Sequence, residues 1–254
     1  KTPRENTRFL LFLAAIVRAV DEYQDLLRMS VAYPGNDHRL GGFEAPPAII
    51  SMFLGEEMED IVNSIVEERV YEDHKAATMN LGIPSVPTFR KDTTDRNRTS
   101  PFAFTGNKFE FRSLGSSQNI AMPNVVINTA VAKVLSDMAD TLEAAVAKGE
   151  DFQKAVAAVI KDTLAAHKRI IYNGNGYSQE WMAEAARRGL SNLRTTVESC
   201  EVLTSDKAVE LFTRFGVLSS VELHARQEIL LENYAKVLNI EAQTMILMAT
   251  RQII

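Results

Sequence analysis

Asn97-Arg98-Thr99-Ser100-Pro101-Phe102-Ala103-Phe104-Thr105-Gly106-Asn107-Lys108-Phe109-Glu110-Phe111-Arg112 reads as a β-hairpin. Two aromatic-rich runs that favour strands flank Gly106-Asn107, a two-residue turn of the kind that accepts positive φ. Such a turn sets Thr105 opposite Lys108, Phe104 opposite Phe109, Ala103 opposite Glu110, Phe102 opposite Phe111 and Pro101 opposite Arg112. Side chains alternate across a strand, so the two faces separate. One carries Phe102, Phe104, Phe109 and Phe111 and anchors in a core. The other carries Lys108, Glu110 and Arg112 against the small Pro101, Ala103 and Thr105. On residue types alone this second face has two readings. It is a solvated outer face of an edge hairpin, or a polar cleft in which Glu110 holds a metal and the cations hold anions. A strand carboxylate suits Mg²⁺, which commonly bridges one or two carboxylates to substrate phosphates.

Upstream of the hairpin, residues 3 to about 30 carry apolar residues at helical spacing and read as one largely buried helix. Thr2, Pro3 and Glu5 supply its N-cap, first-turn proline and capping-box glutamate. Pro34 and Gly35 end it, and 35–46 reads as a loop rich in glycine and proline. Residues 47–54 suggest a buried strand and 56 to about 73 a helix. The stretch 74–100, broken by Gly82, Pro84 and Pro87, reads as a long connection of the kind that is more often functional or mobile than idle.

Downstream, helices are expected at about 123–147 and 151–171. Asn173-Gly174-Asn175-Gly176 is a turn, and Ser178 caps a short helix ending at Gly189. A helix follows at 205–215. Ser219 and Glu222 form a capping box for a long helix to the end of the chain, with an apolar stripe at Leu223, Leu230, Tyr234, Val237, Met245 and Met248. Such a stripe is core or a seam with a neighbouring subunit. The absence of an initial Met and of a stop signal after Ile254 points to a segment of a longer polypeptide.

The 254 residues suffice for one large domain or two small ones. The 46% hydrophobic content is an ordinary globular proportion. The formal net charge of −5 suggests no nucleic-acid partner. No apolar run reaches the ~18 residues needed to span a bilayer, and there is no signal-peptide pattern. The lone Cys200 rules out an internal disulfide and suits a reducing cytoplasm. It has no nearby His and reads as structural. His38, His74, His167 and His224 fit no metal spacing, and neither Ser/His/Asp catalysis, a P-loop nor a Rossmann glycine pattern has support.

The wording of the hairpin resembles the signature of glutamine synthetases, in its type III branch. A second segment, Gly35-Asn36-Asp37-His38-Arg39-Leu40-Gly41-Gly42-Phe43-Glu44-Ala45-Pro46-Pro47-Ala48-Ile49-Ile50-Ser51, is similar to that family's glutamate-gripping flap, and the two motifs stand in family order. The resemblance, weaker outside them, covers essentially the whole chain. It implies an α+β fold: the C-terminal part of the glutamine synthetase catalytic domain, with antiparallel strands and packed helices, over residues 1–147. That part would include a helical insert and long loop at about 55–96. A mainly helical C-terminal domain would follow at 148–254.

The resemblance also implies ATP- and Mg²⁺- (or Mn²⁺-) dependent ligation of ammonia to L-glutamate through γ-glutamyl phosphate. It implies a cytoplasmic homo-oligomer, a dodecamer of two rings, with neither nucleic-acid nor membrane partner. The remaining metal and ATP ligands would lie mainly before Lys1, so the isolated segment is expected to be inactive. Glu110 matches a metal ligand and Arg112 an arginine that grips glutamate. Lys108 stands near the nucleotide phosphates where many relatives have arginine; it keeps the charge and loses the planar fork. Arg98 matches an arginine shared by phosphate and glutamate recognition, Arg39 another glutamate-binding arginine, and Glu44 the catalytic flap glutamate. A further nucleotide-contacting arginine of many relatives has no counterpart near Ala103, and Gly42-Phe43 depart slightly from the usual flap wording. The rival expectation is a non-catalytic helical assembly or regulatory module that keeps the hairpin only as scaffold.

Overall fold

The computed structural model describes residues 3–42, 44–71 and 98–253, together with the backbone of two short strands between them. In chain order the elements are a 3₁₀ turn at Pro3–Glu5, then α1 (Thr7–Glu22), α2 (Gln24–Met29), α3 (Pro34–Arg39), β1 (Met52–Phe53) and α4 (Glu56–Val66). Next come β2 (Thr78–Met79), β3 (Phe89–Arg90), β4 (Phe102–Phe104) and β5 (Phe109–Phe111). The remainder is helical: α5 (Ala121–Ala147), α6 (Phe152–His167), α7 (Gln179–Arg187), α8 (Thr196–Cys200), α9 (Asp206–Arg214) and α10 (Ser220–Met248). The described chain is therefore mostly helical, with a small three-stranded sheet in the order β1-β4-β5 and a separate β2-β3 pair.

Two compact units each draw on three stretches of chain. The first takes residues 1–21, 51–112 and 134–175. Its sheet is mixed: β1 runs parallel to β4, with Met52 beside Phe102, and β4 antiparallel to β5. Met52, Phe102, Leu13, Val17, Ile61 and Leu164 are buried in its core. Asn173 ties the loop after α6 to the start of α4. Its Oδ1 accepts from the backbone N–H groups of Leu54 and Gly55, both at 3.0 Å, and its Nδ2 donates to Glu59. That satisfies donors a helix start would otherwise leave open.

The second unit takes residues 22–50, 113–133 and 176–254. Here α8 and the 3₁₀ turn after it pack against α2 and α10, around buried Leu26, Leu27, Leu203, Phe212 and Leu223. Several of its helices are capped by the short polar side chains that precede them. Ser178 accepts from the Trp181 N–H, Ser205 from the Ala208 N–H, and Ser219 and Glu222 form a complete capping box. Beyond Leu238, α10 is almost wholly exposed, Met245, Ile246, Leu247 and Met248 included. Part of the expected stripe is therefore not core within this chain.

The hairpin has the expected register, with Phe102 opposite Phe111, Ala103 opposite Glu110 and Phe104 opposite Phe109. The Thr105 N–H donates to the Lys108 carbonyl at 2.9 Å and the Arg112 N–H to the Pro101 carbonyl at 2.7 Å. Gly106 has φ +93°, and a Cβ there would meet nothing within 4 Å, so backbone conformation alone requires glycine. The phenylalanines cluster, with ring centroids 5.1 to 5.9 Å apart.

Other expectations are corrected. The sheet is not antiparallel throughout, because β1 joins it in parallel. Only Met52–Phe53 of the expected 47–54 strand is paired. Ala48, Ile49 and Ile50 are buried, and an apolar run reports burial, not pairing. The single helix at 3–30 is broken at Tyr23. Lys207 Nζ donates to the Glu22 carbonyl at 3.0 Å, and the Leu26 N–H, which would normally bond that carbonyl, turns to Asp25 Oδ1 at 2.8 Å. The first α-helix is capped by Asn6, whose Oδ1 accepts from the Phe9 N–H at 3.1 Å; Thr2 lies outside the described residues. Part of the expected 35–46 loop is α3, which Pro34 opens at its first position.

The helix expected to reach 73 stops at Val66 in a Schellman motif. Glu68 takes φ 56°, its N–H bonds the Ile65 carbonyl, and the Arg69 N–H bonds that of Ser64 at 3.1 Å. Within the 74–100 connection, the Thr78–Met79 and Phe89–Arg90 backbones pair antiparallel. Its other residues before Arg98 lie outside the described residues. The Thr195/Glu198 capping box of α8 escaped the sequence reading.

Phe102 is 3% exposed, so Phe102→Ala should cost about 3–5 kcal/mol and lower the midpoint of urea unfolding. Phe104→Ala, at a half-buried position, should cost less.

Candidate functional site

The hairpin's period-two alternation puts Lys108, Glu110 and Arg112 in one row, and their charges engage one another. Arg112 donates to Glu110 Oε2 from Nη2 at 2.8 Å and from Nε at 3.1 Å, and Lys108 Nζ lies 3.3 Å from Oε1. The Arg112 hydrogen bonds, then those of Lys108, hold the Glu110 carboxyl below the usual carboxylate range. Glu110 is therefore a ready anionic oxygen donor between two cations, and an incoming anion or metal must exchange with these pairs. Arg98 is exposed in the turn preceding β4, in the same unit.

Arg39 and Glu44 belong to the other unit. Arg39 closes α3, and its Nη1 donates to Asn36 Oδ1 at 2.9 Å and to the Ser113 carbonyl at 3.2 Å, while Nε lies 3.7 Å from Glu44 Oε1. Glu44 sits on a short loop whose ends are fastened. Leu40 bridges Ala45, and the Gly41 N–H donates to the carbonyls of Ala45 at 3.2 Å and Pro46 at 2.9 Å. Gly41 has φ +78°, and a Cβ on Gly42 would come within 2.7 Å of the His38 carbonyl oxygen. The glycine pair thus permits a turn that other residues would distort. The Glu44 side chain remains 77% exposed, and Tyr177 Oη donates to its carbonyl at 3.1 Å.

Two contributors were missed from sequence. Asn36 was read as loop, although its i, i+3 spacing from Arg39 behind Pro34 was the available signal. Tyr177 reaches Glu44 across 133 residues, which no local pattern encodes. Cys200 is fully buried, and burial pushes its thiol up to about 11, which makes it inert as a nucleophile.

No group of three His, Cys, Asp or Glu side chains among the described residues could hold a metal ion. Glu110 fits as one hard-oxygen ligand of a divalent cation and does not make a site alone. Among the described residues no helix is long and apolar enough to cross a membrane.

Comparison with known proteins agrees with the two motifs. Residues 155–254 match the family described as the glutamine synthetase C-terminal domain. The chain is 50% identical over 244 residues to the type-3 glutamine synthetase of Dictyostelium discoideum, covering 96% of this chain and 33% of that protein. It is 46% identical over 247 residues to a glutamine synthetase of Butyrivibrio fibrisolvens and 39% identical over 249 residues to one of Bacteroides fragilis (strain YCH46). Each of these alignments covers 96% of this chain and 34% of the relative. The chain belongs to the glutamine synthetase family. It spans about a third of the length of the curated relatives it matches.

Because the folded-state pKa of Glu110 is depressed, its contribution to stability is complete above the unfolded carboxyl pKa and is lost as pH falls through the folded one. In ¹³C-carboxyl NMR, the resonance assigned by its loss in Glu110→Gln should titrate below ordinary glutamates. Arg112→Leu should raise that midpoint.

Proposed function

We propose that this chain is the C-terminal part of a type III glutamine synthetase, with catalytic-domain sequence over residues 1–147 and a helical C-terminal domain over 148–254. The complete polypeptide would join ammonia to L-glutamate at the expense of ATP, in the cytoplasm, as a homo-oligomeric ring assembly. The observation that carries this reading is the Lys108-Glu110-Arg112 row in a hairpin of the family's wording. Identity to proteins named glutamine synthetase supports it.

Arg112, Arg39 and Arg98 supply planar guanidinium groups suited to bidentate pairing with the carboxylates of glutamate, and Arg98 with phosphate also. Lys108 places a compact positive charge toward phosphate oxygens. Glu110 would be one ligand of Mg²⁺ or Mn²⁺, which when bound would neutralise charge on the transferring phosphoryl group. Attack of the glutamate γ-carboxylate on the γ-phosphate of ATP gives γ-glutamyl phosphate and releases ADP, and ammonia then displaces phosphate and loses a proton to give glutamine. Glu44 stabilises the positive charge that develops on the attacking nitrogen and takes a proton from it. Its loop shields the acyl phosphate from water.

In the full polypeptide, Glu110→Gln should weaken Mg²⁺ dependence and activity together, because a neutral amide is the poorer ligand for a hard cation. A near-normal Mg²⁺ titration would remove Glu110 from the metal site. Glu44→Gln keeps size and polarity but loses the charge, and should slow glutamine formation about 10²–10⁴-fold. Phosphoryl transfer should be largely intact. Rapid-quench measurement of both products checks this, and an equal fall in phosphoryl transfer would move Glu44 to substrate binding. Binding of neither Mg-nucleotide nor glutamate by the intact protein would favour a non-catalytic assembly role.

A further inference from the structure

Asn36 is completely buried, yet its side-chain amide is fully engaged. Nδ2 donates to the Val31 carbonyl at 2.7 Å and the Ser113 carbonyl at 2.9 Å, and lies 3.4 Å from Gln118 Oε1. The two backbone carbonyls can only accept, so the amide has one workable orientation; reversing it would set oxygen against oxygen. Oδ1 is thereby aimed at Arg39 Nη1, 2.9 Å away. The same arginine nitrogen also reaches the Ser113 carbonyl, so Asn36 and Arg39 converge on one backbone oxygen.

These partners of Nη1 are neutral. A buried carboxylate at position 36 would hold Arg39 at least as firmly but would cancel much of its charge. A neutral acceptor fixes the Nη1 end of the guanidinium without adding a negative charge to that of the Glu44 carboxylate 3.7 Å from Nε. The adjacent acid, Asp37, is directed elsewhere. It pairs with Arg28 at 3.2 Å and accepts from the Thr196 N–H at 2.7 Å and hydroxyl at 2.9 Å. The short helix α3 is thus clamped by consecutive residues, one serving Arg39 and the other docking α3 to the start of α8.

We propose that Asn36 is a positioning residue that presents Arg39, charged and pre-oriented, to the carboxylate of the amino-acid substrate. The proposal rests on the assignment of Arg39 to glutamate binding. It acts on binding, through lower reorganisation of the arginine, and not on the chemical step.

The test is a double-mutant cycle in the full polypeptide, with glutamate KM, ATP KM and kcat measured for Arg39→Ala, Asn36→Ala and the double variant. Asn36→Ala should raise glutamate KM by about tenfold, with ATP KM and kcat little changed, and should add almost nothing in the Arg39→Ala background. Asn36→Ser, which can keep a hydroxyl donor in the buried site but is too short to reach Arg39, should raise glutamate KM as well. An unchanged glutamate KM in Arg39→Ala would overturn the assignment of Arg39 itself. A large effect of Arg39→Ala beside a normal Asn36→Ala, or effects that simply add, would overturn the role of Asn36 alone. If neither Asn36 variant gave a folded protein by circular dichroism and gel filtration, Asn36 would be a structural tie and the proposal would fall.

Discussion

The register of β4 against β5 is the constraint on which the charged row depends. Ala103 stands opposite Glu110, and in a two-period structure that pairing decides every other orientation along both strands. A slip of one residue would turn the phenylalanines outward and carry Lys108, Glu110 and Arg112 into the core. Two independent features oppose the slip. Gly106 accepts the positive φ that a two-residue turn requires, and Phe102 is buried in a strand whose other edge β1 pairs in parallel. The burial that stabilises the hairpin therefore also keeps its charges on the opposite face.

Two of the three arginines expected to meet glutamate, Arg112 and Arg39, are held by different chemistry. Arg112 is paired with the Glu110 carboxylate, so part of its charge is compensated. On the proposed reading, Glu110 would help hold a divalent cation, and Arg112 would then be freer to pair with an anionic substrate. Arg39 is held through Nη1 by an amide and a backbone carbonyl, and its Nε lies 3.7 Å from Glu44 on an exposed loop.

What the sequence disclosed is what local periodicity and short-range chemistry encode. The hairpin register, the Ser178 and Ser219 caps and the boundaries of α5 and α9 needed only alternation, a turn dipeptide or a hydroxyl in the right place. The break at Tyr23 needed Lys207, 184 residues away. The end of α4 needed Glu68 in a left-handed conformation that glycine usually occupies, so no glycine marked it. Met52–Phe53 was recognisable as buried, but its parallel partner lies 50 residues on. For the candidate site, residue types identified the groups that carry charge. The uncharged groups beside them, Asn36 against Arg39 and Tyr177 against the Glu44 carbonyl, carry no charge pattern that a sequence shows.

On the proposed reading, a metal at Glu110 would need more than this one carboxylate. Mg²⁺ demands near-octahedral coordination by hard oxygens and keeps several waters, so one carboxylate holds it weakly. Glu110 is also in competition with two intramolecular cations, which stabilise its ionised form in the metal's absence. On that reading a cation at Glu110 would be held jointly with other ligands, either further protein groups or the phosphates of a nucleotide. In the second case metal and nucleotide binding would be thermodynamically linked, each strengthening the other by the same factor. Lys108 and Arg112 pair with the carboxylate, and on the proposed reading a metal there would have to displace them, which would leave both cations available to the anions accompanying it.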